Sequence, residues 1–332
     1  MIPMLAIAAV VVGLTVLLLL RLRRRPKRDV APPTLPADAE LSYMAEGAAN
    51  IIYRVSDNTR LLRLRKTLPS AQPNFSAYEY LSSTAFPLFP RHLLVDTTLI
   101  RLPPGLVERE NVRLRTLEST GKRTKKRVGM YLETSENYAF MIADMTPHSK
   151  RQVLVEFKPK WVVQSPSAPR NAKRCRTCAL RAKKSGGTGF CPIDLASGDA
   201  RRVRRAVAHI VPKQAPAGFE LRADWERELE VLQERVVEFL LTSELMPVLS
   251  GLQRKLDPEG PLGSMGEGFT DAMTVRDLTV FLRVDMDGGV ECGIGDLDMK
   301  TKEGGKEHYW RNTERKLIEE GWYEVEEGSC EL

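Results

Sequence analysis

Two aspartates in IGDLDMK, Asp296 and Asp298, stand two residues apart just after an apolar, strand-like run, with Lys300 beyond them. A carboxylate at a strand end suits Mg2+, a hard ion that takes one or two carboxylates together with substrate phosphates. The same carboxylate can orient an attacking hydroxyl, although aspartate pairs at turns are also ordinary surface features. A second group lies in VEFKPKW. Read as a strand, it puts Glu156, Lys158 and Lys160 on one face, while Val155, Phe157 and Trp161 require a core behind them. Two lysines beside a carboxylate are costly to bury without an anion, and exposed to a phosphate they clamp it. The third group is AEGAAN, a small-residue loop at 45–50 that runs into Ile51-Ile52-Tyr53. Small residues let backbone N–H groups approach a polyphosphate, and the same letters also begin an ordinary hairpin. Arg63, on the next apolar run, would reach back beneath this loop. Loop, strand, turn and strand-borne cation make the nucleotide grip of kinases outside the P-loop class. A GxxxxGK[ST] motif occurs nowhere.

The fourth group is RCRTCALRAKKSGGTGFC. Cys175 and Cys178 have the CxxC spacing and Cys191 follows across a Gly-rich loop, which makes three ligands of a candidate structural zinc site. His148 and His209 are the nearest candidates for a fourth, and free buried thiols are the alternative. No Ser-His-Asp or Cys-His arrangement stands out, and four histidines in 332 residues argue against a histidine-based metal centre.

The elements that must position these groups follow from composition and periodicity. The hydrophobic content of 42% and charged content of 28% are those of a globular chain. The net charge of +7 is misleading, because RLRRRPKR at 21–28 supplies six of the basic residues, and residues 30–332 hold 44 basic against 42 acidic. Within that near balance, 148–217 carries sixteen Lys/Arg and three Asp/Glu, so a polyanionic partner is expected there. Five unevenly spaced cysteines argue against a disulfide framework and for a reducing compartment. MIPMLAIAAVVVGLTVLLLL is long enough for a bilayer core, and the cations that follow it would leave the body in the cytosol; residues 2–20 are a candidate membrane attachment.

NIIYRVSDNTRLLRLRK reads as two strands around a Ser-Asp-Asn turn, YAFMIA as a strand, and LTVFLRVDMDGGVECGIG as strand, turn and strand. Pro-rich loops are expected around 68–104. An amphipathic helix is expected from Asp224, and a short one in YWRNTERKLIEEGWYEV. The order predicts an α+β protein of two lobes with a cleft between them. Its parts are an anchor and basic flank at 1–28, a Pro-rich linker at 29–40, an N-terminal lobe at 41–147 and a C-terminal lobe at 148–332.

GAANIIYRV, VEFKPKW, CRTCALR…CPIDLASG, MTVRDLTVFL and GDLDMK occur in an order that resembles the inositol-pentakisphosphate 2-kinase family in a fungal form, over most of 41–325. The resemblance implies a distantly protein-kinase-like fold that binds ATP and Mg2+ and phosphorylates the 2-hydroxyl of inositol pentakisphosphate, giving inositol hexakisphosphate (phytate). It implies that Ala48, Ala49, Asn50 and Arg63 meet the ATP phosphates, that Asp144 sits at a hinge facing adenine, and that Glu156 lines the nucleotide. Lys158, Lys160, Arg127, Arg174 and Lys316 would hold substrate phosphates, with Lys158 at the transfer site. Asp296 would hold Mg2+ and orient the hydroxyl. It further implies a cytoplasmic or nuclear body and a monomer. A nucleic-acid-binding module on the basic CxxC region is the rival, and it expects stacking aromatics, but 165–215 holds only Phe190. A non-catalytic polyphosphate sensor is the other.

Overall fold

A computed structural model describes residues 31–332 except 57, 70, 185, 187 and 188. The apolar run at 2–20 and its basic flank lie outside the described residues. Among the described residues, no helix is long and apolar enough to cross a membrane.

Alternating apolar residues build two antiparallel sheets, so the chain is α+β. The first has the order β1-β2-β3-β5-β4: β1 is Leu41–Glu46, β2 Asn50–Val55, β3 Arg60–Arg65, β4 Thr97–Arg101 and β5 Tyr138–Ala143. The second has β7 (Thr279–Asp285) between β6 (Gln152–Phe157) and β8 (Val290–Gly295). The expected hairpin is β2–β3. Its turn is fixed by the Asn58 side chain, which accepts a bond from the Arg60 N–H at 2.9 Å. Strand β1, whose LSYMAE has no clean alternation, joins the edge of β2 through an irregularity between Tyr43 and Ala45.

Around the sheets lie α1 (Asn74–Tyr80), α2 (Leu106–Ser119), α3 (Arg176–Lys184), α4 (Pro192–Leu195), α5 (Ala200–Val207), α6 (Trp225–Thr242), α7 (Leu245–Leu256), α8 (Phe269–Val275) and α9 (Lys306–Glu319). Helix α6 starts as expected at Asp224, whose side chain accepts from the Arg227 N–H. The Pro-rich loops expected at 68–104 are a correction: Pro73 caps α1, which continues through the wide turn Leu81–Ala85, and β4 follows. Prolines there flank the elements rather than interrupt them. The linker expected at 29–40 is also tied down over its described part. Leu35 is buried and donates its N–H to Arg101 O at 2.9 Å, while Pro33 O accepts from Arg101 N at 2.8 Å.

Ile51, Tyr53, Leu62, Leu64, Leu106 and Leu114 share a core between the first sheet and α2. The larger core joins Val153 and Val155 of β6 and Val280 and Leu282 of β7 to α6 and α7. It also takes in Leu81, Ala85, Phe89, Leu99 and Phe140 from before residue 147, and Val95 N–H donates to Ile294 O at 3.0 Å. The packing therefore runs across the boundary expected at 147/148.

One buried charged assembly braces the C-terminal sheet. The Arg276 guanidinium lies 3.4 Å from the centre of the Trp161 ring, and its Nη1 is 2.7 Å from Asp257 Oδ2. Arg176 lies over the same ring at 4.2 Å and pairs with Glu314 at 2.7 Å, and Glu314 also accepts from Ser165 and Tyr323. Removing one member of a buried pair strands the other's charge. Arg276→Met is expected to lower the unfolding free energy by about 3–5 kcal/mol, read from urea midpoints; a change below about 1 kcal/mol would contradict this account.

Candidate active site

The register of the second sheet sets the geometry. Glu156 faces Phe281, and Thr279 faces Gly295. The end of β6, the start of β7 and the end of β8 therefore meet at one edge, and the residues just outside them are Lys158, Asp277 and Asp296. Strand β6 stops at Phe157, so Lys158 and Lys160 do not share a strand face as expected. Pro159 follows Lys158 and Lys160 adopts a left-handed φ of 60°, so a turn brings the two ammonium groups together.

Above this edge opens a cavity of about 680 Å³ between the two sheets. Its inner wall is apolar, built by Phe140, Ile142, Met145, Leu154, Phe281 and Ile294. Gly293 lets the segments flanking β4 and β5 approach β8 here, since a Cβ would lie 2.7 Å from Val95 and 3.2 Å from Met145. The small-residue loop forms the opposite wall through Gly47, Ala48, Ala49 and Asn50. Beneath it, Lys66 donates to Gly47 O at 2.9 Å and pairs with Glu46 at 2.5 Å, and Arg123 donates to both Glu46 oxygens at 2.9 Å. Burial would raise the Glu46 pKa, but the hydrogen bonds from Arg123 and Lys66 outweigh it and hold the carboxyl at about 2. Burial lowers the pKa of Lys66.

The polar end of the cavity holds the sequence's strongest candidates. Asp296 has a left-handed φ of 56°. Its Oδ2 accepts from Thr279 Oγ1 at 2.6 Å and lies 3.6 Å from Lys158 Nζ. Glu156 is pushed above the ordinary carboxylate value, first by burial and then by the charge of Asp296, with Lys158 opposing. Arg63 lies over the Phe140 ring at 4.9 Å and reaches Asp298 at 3.4 Å; its buried Nε has no partner among the described residues. Asp277 gathers the remaining cations: its carboxylate takes Lys160 at 2.8 Å and Lys300 at 2.7 Å, and its carbonyl takes Lys158 at 2.7 Å. Burial works against its charge, but the bonds from Lys160 and Lys300 pull it down to about 2.

Ala48, Ala49, Asn50, Arg63, Glu156, Lys158 and Asp296 thus line one cavity, and Lys160 joins them through Asp277. Four other expected residues do not line it. Asp144 stands at the connector between the sheets, but its carboxylate is spent on Thr146 N–H at 2.8 Å, Thr146 Oγ1 at 2.6 Å and Arg54 at 3.2 Å. Its neighbours Ala143, Met145 and Thr146 line the cavity instead. Arg174 is buried and donates to the carbonyl of Glu327, in a separate hollow beside the cysteines. Arg127 ends a short turn within electrostatic reach of Tyr43 and Lys66. Lys316 is exposed on the last turn of α9, next to Leu317, which packs against Ala179 and Tyr323.

The basic stretch 148–217 is corrected in the same way. Arg201, Arg202 and Arg205 bind Glu331, and Arg202 and Arg205 also bind Asp194; Arg204 binds Glu234 and Arg176 binds Glu314. Lys158 and Lys160 are the members of that stretch placed at the cavity.

The sulfurs of Cys175, Cys178, Cys191 and Cys330 lie within 4.8 Å of one another. The backbone N–H of Cys175 points to Cys330 Sγ at 3.3 Å, and that of Cys178 to Cys175 Sγ at 3.4 Å. The fourth corner is therefore Cys330 and neither histidine. His148 meets Arg283 at 2.6 Å, and His209 is exposed. Sequence reasoning passed over Cys330 because it lies 139 residues beyond Cys191 in the chain, in an acidic tail. It also gave Asp277 no role, although an Arg-Asp pair opening the apolar run LTVFL marks a charged strand mouth.

The profile of the family described as inositol-pentakisphosphate 2-kinase matches residues 43–316, a span that contains both sheets except the first two residues of β1, and every cavity residue named above. An inositol-pentakisphosphate 2-kinase of Yarrowia lipolytica (strain CLIB 122 / E 150) is 30% identical over 314 residues, covering 90% of this chain and 98% of that protein. The chain that folds into these two sheets belongs to the inositol-pentakisphosphate 2-kinase family.

Proposed function

We propose that the cavity transfers the γ-phosphoryl group of ATP to the 2-hydroxyl of inositol 1,3,4,5,6-pentakisphosphate, giving inositol hexakisphosphate, within a two-lobed, kinase-like arrangement. The observation that carries this reading is the approach of Lys158 to within 3.6 Å of Asp296 in a cavity whose other wall is the small-residue loop and Arg63. The apolar wall of Phe140, Ile142, Met145 and Ile294 suits the adenine ring. The loop at Ala48–Asn50 and Arg63 suit the β- and γ-phosphates.

Oxygen donors at Asp296, Asp298 and Glu156 fit Mg2+, a hard cation. Glu156 and Asp296 line the same cavity, and a cation there would offset both the burial and the Asp296 charge that disfavour ionised Glu156. When bound, Mg2+ would offset charge on the transferring phosphate. In the transfer, the 2-hydroxyl oxygen bonds to the γ-phosphorus as the bond from phosphorus to the β–γ bridging oxygen breaks, and ADP departs. Asp296 orients the hydroxyl and takes its proton, and Lys158 stabilises charge on the equatorial oxygens. Lys160 and Lys300 face the other phosphates of the acceptor. No nucleophilic side chain is required, in keeping with a site made of carboxylates and cations.

The four cysteines suit one structural zinc ion, because a closed set of four thiolates is a preferred zinc environment. Cys330 would then fasten the C-terminal tail to α3.

Three measurements test these assignments. With ATP, Mg2+ and inositol pentakisphosphate resolved by chromatography, Asp296→Asn should lower turnover by about 100-fold or more with the fold retained. Turnover near that of the wild type removes Asp296 from the mechanism, while an unmodified chain that forms no hexakisphosphate makes it a sensor. Lys158→Ala should lower kcat/KM about 10- to 100-fold, the loss of one charge-assisted contact of about 1.5–3 kcal/mol. Elemental analysis of the purified chain should find about one zinc per molecule, lost in Cys330→Ser; a metal-free, equally stable chain would rule the zinc out.

A further inference from the structure

We propose that Asp277 is the positioning residue for acceptor binding: its single carboxylate and its own carbonyl gather Lys158, Lys160 and Lys300 into one preorganised cationic face. The proposal rests on the kinase reading of the cavity and adds to it a role for Asp277, which lies within MTVRDLTVFL.

Three ammonium groups brought to one edge repel one another, and each sits on a flexible four-carbon stem. Left alone they would spread apart, and an incoming polyphosphate would have to order them as it bound. Asp277 removes both difficulties. One oxygen holds Lys160 at 2.8 Å, the other holds Lys300 at 2.7 Å, and the main-chain oxygen holds Lys158 at 2.7 Å. Lys158 is thereby suspended between Asp277 and Asp296, at 3.9 Å and 3.6 Å from their carboxylates. Asp277 touches the lysines and not the hydroxyl-orienting carboxylate, so its action on the reaction is through them.

The backbone beneath is fixed on both sides. Arg276, the preceding residue, is locked between the Trp161 ring and Asp257. Trp161 is the residue after Lys160, so one buried stack holds the neighbours of both partners. Gln253, fully buried, donates to Lys160 O at 2.8 Å and accepts from Val162 N–H at 3.1 Å. That pins Lys160 in its left-handed conformation. The Asp277 N–H is bonded to Thr274 O at 3.0 Å. This rigidity is what a positioning group needs, since a loosely held carboxylate would follow the lysines rather than place them.

An opposite effect is physically open to the same atoms. A carboxylate among phosphate-binding lysines repels the phosphates and competes for the cations, so Asp277 as a brake would weaken acceptor binding. The sign of the acceptor KM change in Asp277→Asn separates the two. Steady-state kinetics on the full chain should show the acceptor KM raised about tenfold or more, with the KM for ATP within about twofold and the thermal midpoint little changed. Asp277→Glu should recover most of the loss. In a Lys160→Met, Lys300→Met background, adding Asp277→Asn should cost less than about twofold more, because there is little left to position.

An acceptor KM that falls or stays level in Asp277→Asn overturns the proposal, as does a full additional loss in the background lacking both lysines. Should Asp277→Asn fail to fold, Lys300→Met removes a single arm and must itself raise the acceptor KM selectively. Normal wild-type turnover with an unaffected Asp277→Asn variant sinks only this proposal. A wild-type chain that does not phosphorylate inositol pentakisphosphate sinks the kinase reading beneath it.

Discussion

The pairing of β7 with both β6 and β8 is the constraint on which the site depends. Each antiparallel ladder fixes which strand ends coincide, and here the register brings the exit of β6, the entrance of β7 and the exit of β8 to one edge. A slip of one residue in either ladder would turn Val155, Leu282 or Ile294 out of the core and carry the adjoining charged residues to the wrong face. Burial of Val153, Val155, Val280, Leu282, Val284 and Ile294 therefore does more than stabilise the sheet. It sets where Lys158, Asp277 and Asp296 emerge. The chain has to turn abruptly just outside these strands, and among the described residues only Lys160, Met265 and Asp296 are non-glycine residues with a left-handed φ. Two of the three are at the site. The strain of order 1–3 kcal/mol that such conformations carry is held by the packing behind them.

Charge is used in two ways in this molecule, and density along the chain does not separate them. The arginines around α3 and α5 are mostly fasteners: they tie carbonyls and carboxylates of the C-terminal tail, with Glu331 alone meeting Arg201, Arg202 and Arg205. Arginine suits that task, because five donors in a rigid fork can bind several oxygens at once. The lysines at the cavity are compact charges with three donors each, so one held by Asp277 still keeps donors for a phosphate. A count of sixteen cations over 148–217 cannot tell these roles apart, since many of the arginines' partners, such as Glu228, Glu234, Glu314 and Glu331, lie outside that stretch.

The same distinction decides what was legible in the amino-acid sequence. The β2–β3 hairpin, β5, the β7–β8 pair and α6 could be read because their periodicity is local and their turns and caps have specific chemistry. Asp296, Glu156 and Lys158 could be placed in one group because they lie at or just beyond the ends of β8 and β6. Helices α1, α2 and α7 were not legible. Prolines framing α1 and α2 looked like loop residues, and α7 carries Pro247 and Gly251 inside a helix held by burial of Leu245, Met246 and Leu249. Asp277 and Cys330 escaped for another reason. Each acquires its role from partners far away in the chain: Lys160 lies 117 residues from Asp277, and Cys330 lies 139 from Cys191. No spacing rule reaches across such separations. Arg174 and Lys316 are expected at the substrate from the resemblance to family positions, and such a likeness does not say whether a cation's donors are already committed.

At the cavity the charges nearly cancel before any substrate arrives. Glu156, Asp277, Asp296 and Asp298 stand against Arg63, Lys158, Lys160 and Lys300, and most of these pairs are in direct contact. An empty site of unopposed lysines would pay a large repulsion, and a site of unopposed carboxylates would repel the nucleotide. Pairing them lowers both costs. It also leaves the lysines' remaining donors for a phosphate while Asp277 keeps their stems in place, and a cation between Glu156 and Asp296 would offset the carboxylates there. Under the proposed reading, a ligand carrying many phosphates and an associated metal meets both halves of the prepaired cleft at once, whereas a lone monophosphate meets only the lysines. A preference for such ligands would then follow from the pairing itself, before any contact with the inositol ring is counted.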